Sequence, residues 1–228
     1  MRAGIALKKI LIAGEAGQTT NYENALAAMQ VHFVTSLQVK DVDEYDGLLL
    51  PGGGDVDPKL FGQLLIPEPE IRQYSEWEQQ LIRMGQEKLT PELDRIQLAI
   101  LKAFCQYRKP VFGICKGMQL INIAFGGDML RHLPTAVHHA YREKDQMHPA
   151  RNEVNSFLYE VYGSDMLVNS AHHQGVGIPG RGIRYVQYAP DGVVEGLQHE
   201  FLPVYGVQWH PERLERDIKK LKKLFKIT

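Results

Sequence analysis

Short apolar runs alternate with longer amphipathic ones along the first half of the chain. Lys9-Ile10-Leu11-Ile12-Ala13 reads as a strand broken by Gly14 and Gly17, and residues 22–30 read as a helix with Leu26 and Met29 on one side. Residues 31–34 and Gly47–Leu50 are further strand candidates, and Pro51-Gly52-Gly53-Gly54 ends the second abruptly. Uninterrupted apolar runs this short suit strands covered on both faces, as in a parallel sheet. Asp57-Pro58 has the form of an N-cap followed by proline at the first helical position. Residues 63–90 are polar, charged and broken by Pro67 and Pro69, with a helical stretch over 76–84, and read as an excursion over the sheet. Pro91–Gln106 carries one apolar stripe through Leu93, Ile96, Ala99, Ile100 and Ala103. Val111–Ile114 then reads as a strand running straight into a helix over 118–125, stopped by Gly126-Gly127.

From Arg131 onward the pattern changes to short strand candidates, at Val154 and over 166–169, 183–188, 193–198 and 204–208, separated by turns such as Pro190-Asp191-Gly192. A last amphipathic helix is expected over 214–225, with Ile218, Leu221, Leu224 and Phe225 on one side and a solvated face of lysines on the other. The expected fold is α/β, an open, mostly parallel central sheet flanked by helices, with additional short strands in the C-terminal half. No linker or repeat divides it, so residues 1–228 are expected to form a single domain.

Composition changes this picture little. Of 228 residues, 44% are hydrophobic and 23% charged, which is ordinary for a folded globular chain. Twenty-six basic and 27 acidic residues give a net charge of −1, so no basic footprint for nucleic acid or an anionic membrane is present. No apolar run approaches the ~20 residues of a membrane span, and residues 1–13 lack the pattern of a secretion signal. Two cysteines, Cys105 and Cys115, do not make a disulfide framework, and a reducing cytoplasm is the simplest compartment.

Candidate chemistry centres on Gly113-Ile114-Cys115-Lys116-Gly117, between a strand and a helix. It has the shape of a nucleophile elbow with Cys in place of Ser. A sharp strand-to-helix turn strains the nucleophile's backbone, so its neighbours must lack side chains, and the positive end of the following helix favours a thiolate. Cys105, on the apolar helix, reads as packing. A thiol nucleophile needs a base, and the base an orienting acid. His210 and Glu212, two apart around Pro211, offer both. Pro51-Gly52-Gly53-Gly54-Asp55 brings bare backbone N–H groups to a strand end, which suits an oxyanion hole completed by the N–H of Lys116. Asp55 reads equally as a substrate contact or a turn residue. His138-His139 and His172-His173 lack any familiar zinc spacing and there is no Cys pair, so no metal is expected.

These motifs together resemble class I glutamine amidotransferase-like proteins, whose pattern is a Gly-rich loop, then G-x-C-x-G-x-Q, then a late H-P-E. Within that superfamily the chain is most similar to the γ-glutamyl-γ-aminobutyrate hydrolase group of γ-glutamyl peptidases, through residues 51–58, Val168-Asn169-Ser170-Ala171-His172-His173-Gln174 and Ala189-Pro190-Asp191-Gly192-Val193-Val194-Glu195. The resemblance implies a flavodoxin-like sheet. It implies Cys115 as nucleophile, His210 as base and Glu212 as its partner. The N–H groups of Gly53 and Lys116 would form the oxyanion hole, and Gln119, His173 and Gln174 would bind the glutamyl group. Lys116 stands where that group more usually has Arg. The implied reaction is hydrolysis of a small γ-glutamyl amine through a glutamyl thioester, with no cofactor and a small-molecule substrate as the partner; oligomeric state stays open. Two alternatives remain: a glutaminase subunit delivering ammonia to a separate synthetase chain, and a non-catalytic ligand sensor on the same scaffold.

Overall fold

In the computed structural model, residues 9–214 and Lys220 are described. Eleven strands run in chain order: β1 (Lys9–Ile12), β2 (His32–Thr35), β3 (Gly47–Leu50), β4 (Val111–Ile114), β5 (Met129–Leu130), β6 (Gln146–Asn152), β7 (Asp165–Ser170), β8 (Gly175–Val176), β9 (Ile183–Tyr188), β10 (Val194–His199) and β11 (Val204–Val207). The α-helices are α1 (Thr20–Ala28), α2 (Glu68–Ile71), α3 (Glu76–Glu87), α4 (Pro91–Gln106), α5 (Lys116–Ala124) and α6 (Phe157–Tyr162). Nine strands form one sheet in the order β2-β1-β3-β4-β11-β10-β9-β6-β7, and β5 pairs with β8 separately.

The sheet is mixed. The five strands from β2 to β11 are mutually parallel, and the four beyond them pair antiparallel. Helices cover both faces of the parallel half, which explains its continuous apolar runs. Successive side chains of a strand point to opposite faces. Leu11, Leu48, Leu50 and Val111 accordingly pack with Leu101 and Phe104 of α4 and Met118 of α5. Ile10, Ile12, Leu49 and Ile114 face the other way, onto Leu26 of α1 and Trp209.

The strand and helix expectations of the parallel half hold within a few residues. Asp57 caps as read, its side chain accepting from the Lys59 N–H with Pro58 at the first position of a short 3-10 helix. The excursion consists of α2 and α3, closed over a separate small cluster of Ile66, Ile71 and Ile82, and α3 opens on a capping box between Ser75 and Glu78. Val154 is not in a strand: it lies exposed in a turn. The strand there is β6, two residues earlier, whose sequence Gln-Met-His-Pro-Ala-Arg-Asn has no apolar alternation. It is held by six register pairs to β7. The helix expected over 214–225 lies outside the described residues apart from Leu214, which is extended, and Lys220. Among the described residues no helix is long and apolar enough to cross a membrane.

Candidate active site

β4 is buried at all four positions and delivers Cys115 to the C-terminal edge of the parallel strands, where open α/β sheets bind ligands. Cys115 adopts φ 51° and ψ −108°, a region that costs a non-glycine residue about 1–3 kcal/mol. Two close approaches explain the flanking glycines. A Cβ on Gly113 would sit 2.6 Å from the Gly117 carbonyl, and one on Gly117 would sit 2.2 Å from the Leu50 carbonyl oxygen. The turn is pinned by the Cys115 N–H donating to the Val207 carbonyl at 2.8 Å, and α5 begins as the Gln119 N–H reaches the Cys115 carbonyl at 3.2 Å.

β11 lies beside β4 in parallel register, so the segment following it arrives next to the elbow. His210 and Glu212 are both buried, and the His210 Nδ1–H donates to Glu212 Oε1 at 2.8 Å. That bond leaves Nε2 on the side of the ring that faces the Cys115 sulfur, whose charge acts on the imidazole. Burial alone pushes the His210 imidazole down. The facing Cys115 sulfur and the Glu212 carboxylate outweigh it and raise the imidazole to about 10. The His210 N–H donates to Asn169 Oδ1 at 3.2 Å, which fixes the backbone that carries the ring. Sulfur, imidazole and carboxylate therefore stand in one buried line, able to pass a proton from thiol to imidazole and hold the resulting charge.

The glycine loop after β3 closes over this line. A Cβ on Gly52 would sit 2.7 Å from the Tyr22 hydroxyl, 3.2 Å from His210 Cε1 and 3.3 Å from Cys115 Cβ. The Gly52 N–H donates to the Tyr22 hydroxyl at 2.8 Å. The Gly53 N–H has no acceptor among the described residues, and Lys116 is the first residue of α5, where helix N–H groups lack intrahelical partners. The Lys116 side chain does not point to solvent. Its ammonium lies 2.5 Å from Asp94 Oδ1 and 3.2 Å from Thr90 Oγ1, both groups at the start of α4.

Gln119, His173 and Gln174 are all buried but serve different contacts. Gln119 Nε2 donates to the Gln174 carbonyl at 3.3 Å and to Gln208 Oε1 at 3.2 Å, and Gln208 Nε2 in turn donates to Cys115 Sγ at 3.4 Å. Gln174 Oε1 accepts from the Val56 N–H at 3.0 Å. His173 lies between Asp55 Oδ1 at 2.9 Å and His132 Nδ1 at 3.0 Å. Burial and the neighbouring His173 lower the His132 imidazole. His173 and Gln174 line a cleft with Asp55, Val56 and Arg131, whereas Gln119 reaches the sulfur through Gln208. Gln208, Asn169, Tyr22, Asp94 and His132 were not singled out from sequence. Gln208 was within reach, two residues before His210 in the same run; the others come from distant segments. His139 and His172, unremarkable as sequence pairs, converge with His148 on the buried Glu195.

Comparison with known proteins gives a consistent result. The peptidase C26 family profile matches residues 29–212. Protein NtpR of Enterococcus hirae is 31% identical over 182 residues, covering 75% of this chain and 68% of that protein. The γ-glutamyl-γ-aminobutyrate hydrolase of Escherichia coli K12 is 30% identical over 195 residues, covering 78% and 68%. The chain spans 56–68% of the length of the first three curated relatives. Among solved structures, a glutamine amidotransferase from Thermotoga maritima superposes with a TM-score of 0.60 at 14% identity, covering 96% of this chain and 82% of that one. Another, from Methylobacillus flagellatus, gives 0.58 at 17%, covering 96% and 75%. At such identities the structures speak for the fold.

Proposed function

The chain belongs to the peptidase C26 family of glutamine amidotransferase-like hydrolases, and on that premise we propose that it hydrolyses the γ-glutamyl amide bond of a small γ-glutamyl amine. The observation that carries the reading is the buried line from the strained Cys115 through His210 to Glu212.

The Cys115 thiol gives its proton to His210 Nε2, and the sulfur attacks the γ-carbonyl carbon. The carbonyl oxygen takes up the electron pair and is met by the N–H groups of Gly53 and Lys116. Collapse of the tetrahedral intermediate breaks the C–N bond, and His210 returns its proton to the departing amine. A glutamyl thioester remains on Cys115. Water, deprotonated by His210, attacks the thioester, the thiol is restored and glutamate leaves. Glu212 holds the imidazole in one tautomer and stabilises its protonated form. No step draws on a cofactor. The pairing of Asp55 with His173, beside Arg131, supplies charged and polar groups for the two charged ends of a glutamyl moiety. A pocket that pairs both rejects analogues that leave them unsatisfied.

The test is a panel of γ-glutamyl amides, the matching α-glutamyl amides and free glutamine, scored by glutamate release. Release from γ-glutamyl amines well above that from their α-linked counterparts is expected. Equal rates on both linkages, or release from glutamine alone and only with a separate synthetase chain present, would overturn the reading, the latter in favour of a glutaminase subunit.

A further inference from the structure

We propose that His139, His172 and Glu195 form a binding site for a divalent cation of the zinc class, with a fourth position left to water and His148 beside it. The four residues come from separate parts of the fold: His139 from the turn before β6, His148 from β6, His172 from the segment after β7, and Glu195 from β10.

Their spacing is that of a ligand set. Glu195 Oε1 lies 3.3 Å from His139 Nδ1, 3.5 Å from His148 Nε2 and 3.5 Å from His172 Nε2. Ligand bonds of about 2.0–2.2 Å in a tetrahedron put neighbouring donors about 3.3–3.6 Å apart. One donor atom each from His139, His172 and Glu195 lies within 4.8 Å of the other two.

The tautomers are set from outside the cluster. His172 Nδ1 is 2.9 Å from the Gln174 carbonyl, so it carries the proton and Nε2 turns its lone pair inward. His139 Nε2 is 2.9 Å from Asp191 Oδ2, which leaves Nδ1 facing Glu195. Carbonyl and carboxylate acceptors behind a histidine are the outer contacts that orient metal-bound imidazoles.

The inward lone pair of His172 repels the carboxylate it meets, and His139, set between Asp191 and Glu195, can relieve only its own line to Glu195 by carrying a proton. Glu195 is fully buried, and neither of its oxygens has a hydrogen-bond partner among the described residues; the same holds for His148 Nε2 and His172 Nε2. An isolated buried carboxylate is very costly unless compensated. A proton placed on one imidazole serves one nitrogen–oxygen line and leaves the other lone pairs facing the charge. A divalent cation satisfies them together. Ser170 Oγ, at 3.4 Å from His139 Nδ1, is a longer contact that an ion would displace. Imidazole nitrogens with one carboxylate suit zinc better than magnesium or calcium, which prefer oxygen shells. A cleft of about 250 Å³ lined by His139, His148 and Asp191 supplies a route from solvent.

The ion would be structural. The Gln174 carbonyl that holds His172 also accepts from Gln119, and the Glu195 carbonyl accepts from the Gln208 N–H at 2.9 Å. A metal here ties the turn before β6, β10 and the segment after β7 together behind the residues that contact Cys115. It revises the expectation from sequence spacing that no metal is bound.

The experiment strips the protein with EDTA, titrates it with Zn²⁺ and counts bound zinc after gel filtration, for wild type, Cys115→Ala, Glu195→Gln and His172→Ala. One zinc per chain is expected in wild type and in Cys115→Ala, with affinity about tenfold or more weaker in the other two variants. Because those two can fail to fold, the Co²⁺ spectrum of the wild type is read as well, and four-coordinate bands without thiolate charge transfer are expected. Absence of bound zinc in wild type, loss of zinc on Cys115→Ala, or a thiolate band would each overturn the proposal.

Discussion

At His210, burial and charge act in opposite directions, and charge prevails. The imidazole rises from an ordinary value near 6.5 to about 10 because a sulfur and a carboxylate face it. A raised pKa in the folded state adds stability that is fully present below the unfolded value and fades as pH climbs through the folded one. Glu212→Gln removes the carboxylate facing the ring, so the thermal-melting advantage of wild type over this variant should shrink from pH 6.5 towards pH 10. A constant advantage would separate Glu212 from the ring's titration. Catalysis divides the two residues differently. His210 moves protons in both half-reactions, so His210→Ala should lose about 10²- to 10⁴-fold in kcat. Glu212→Gln can still accept the ring N–H and should lose less. Alkylation of Cys115 by iodoacetamide near neutral pH should also slow in Glu212→Gln, and superimposable rate–pH profiles would reduce the proposed triad to a dyad. The three residues of this line were legible in sequence because each sits in a short contiguous motif. Gln208, which touches the same sulfur, lay in the same run two residues before His210, but a glutamine amide at a strand end carries no chemistry that marks it out.

The elements around the elbow show what sequence patterning carries and where it stops. β3, β4 and α4 were readable because their apolar runs and stripes are forced by burial on both sheet faces. β6 was not, since its polar, proline-containing sequence becomes a strand through pairing with β7. The buried pair between Lys116 of α5 and Asp94 of α4 was equally invisible, because its partners are 22 positions apart and each alone reads as a surface charge. Removing one member of such a pair leaves an uncompensated buried charge, at a cost of about 3–5 kcal/mol. Asp94→Ala should therefore lower the denaturation midpoint markedly, and Asp94→Leu combined with Lys116→Met should recover only part of the loss, because Asp94 Oδ2 also accepts from the buried Asp57 N–H. A midpoint unchanged in Asp94→Ala would show that the pair contributes nothing. The same elbow predicts that Gly117→Ala is damaging out of proportion to one methyl group, because the new Cβ meets backbone of β3 rather than a movable side chain.

Over the whole molecule, one sheet joins a parallel half that carries the nucleophile to an antiparallel half that carries the histidine cluster, and the segment from β11 to Glu212 crosses between them. The α/β class, the mostly parallel core and the additional C-terminal strands were expected; the antiparallel pairing of the last four strands of the sheet was not, because pairing direction leaves no mark in short apolar runs. Residues 63–90 stand apart, with their own small cluster of Ile66, Ile71 and Ile82. Segments with few buried apolar contacts open at lower free energy, so amides of α3 should exchange with deuterium well before those of β3 and β4; matched protection would make the excursion part of the central core. Through Glu78, His132, His173 and Asp55 this segment is linked to the cleft wall proposed to hold the glutamyl moiety. All of this depends on Cys115 being the nucleophile, and the most direct measurement is glutamate release from a γ-glutamyl amide by wild type, Cys115→Ala and Cys105→Ala, with circular dichroism confirming the fold of each. Turnover abolished in Cys115→Ala and nearly unchanged in Cys105→Ala is the predicted result; a folded Cys115→Ala protein that releases glutamate at the wild-type rate would contradict it.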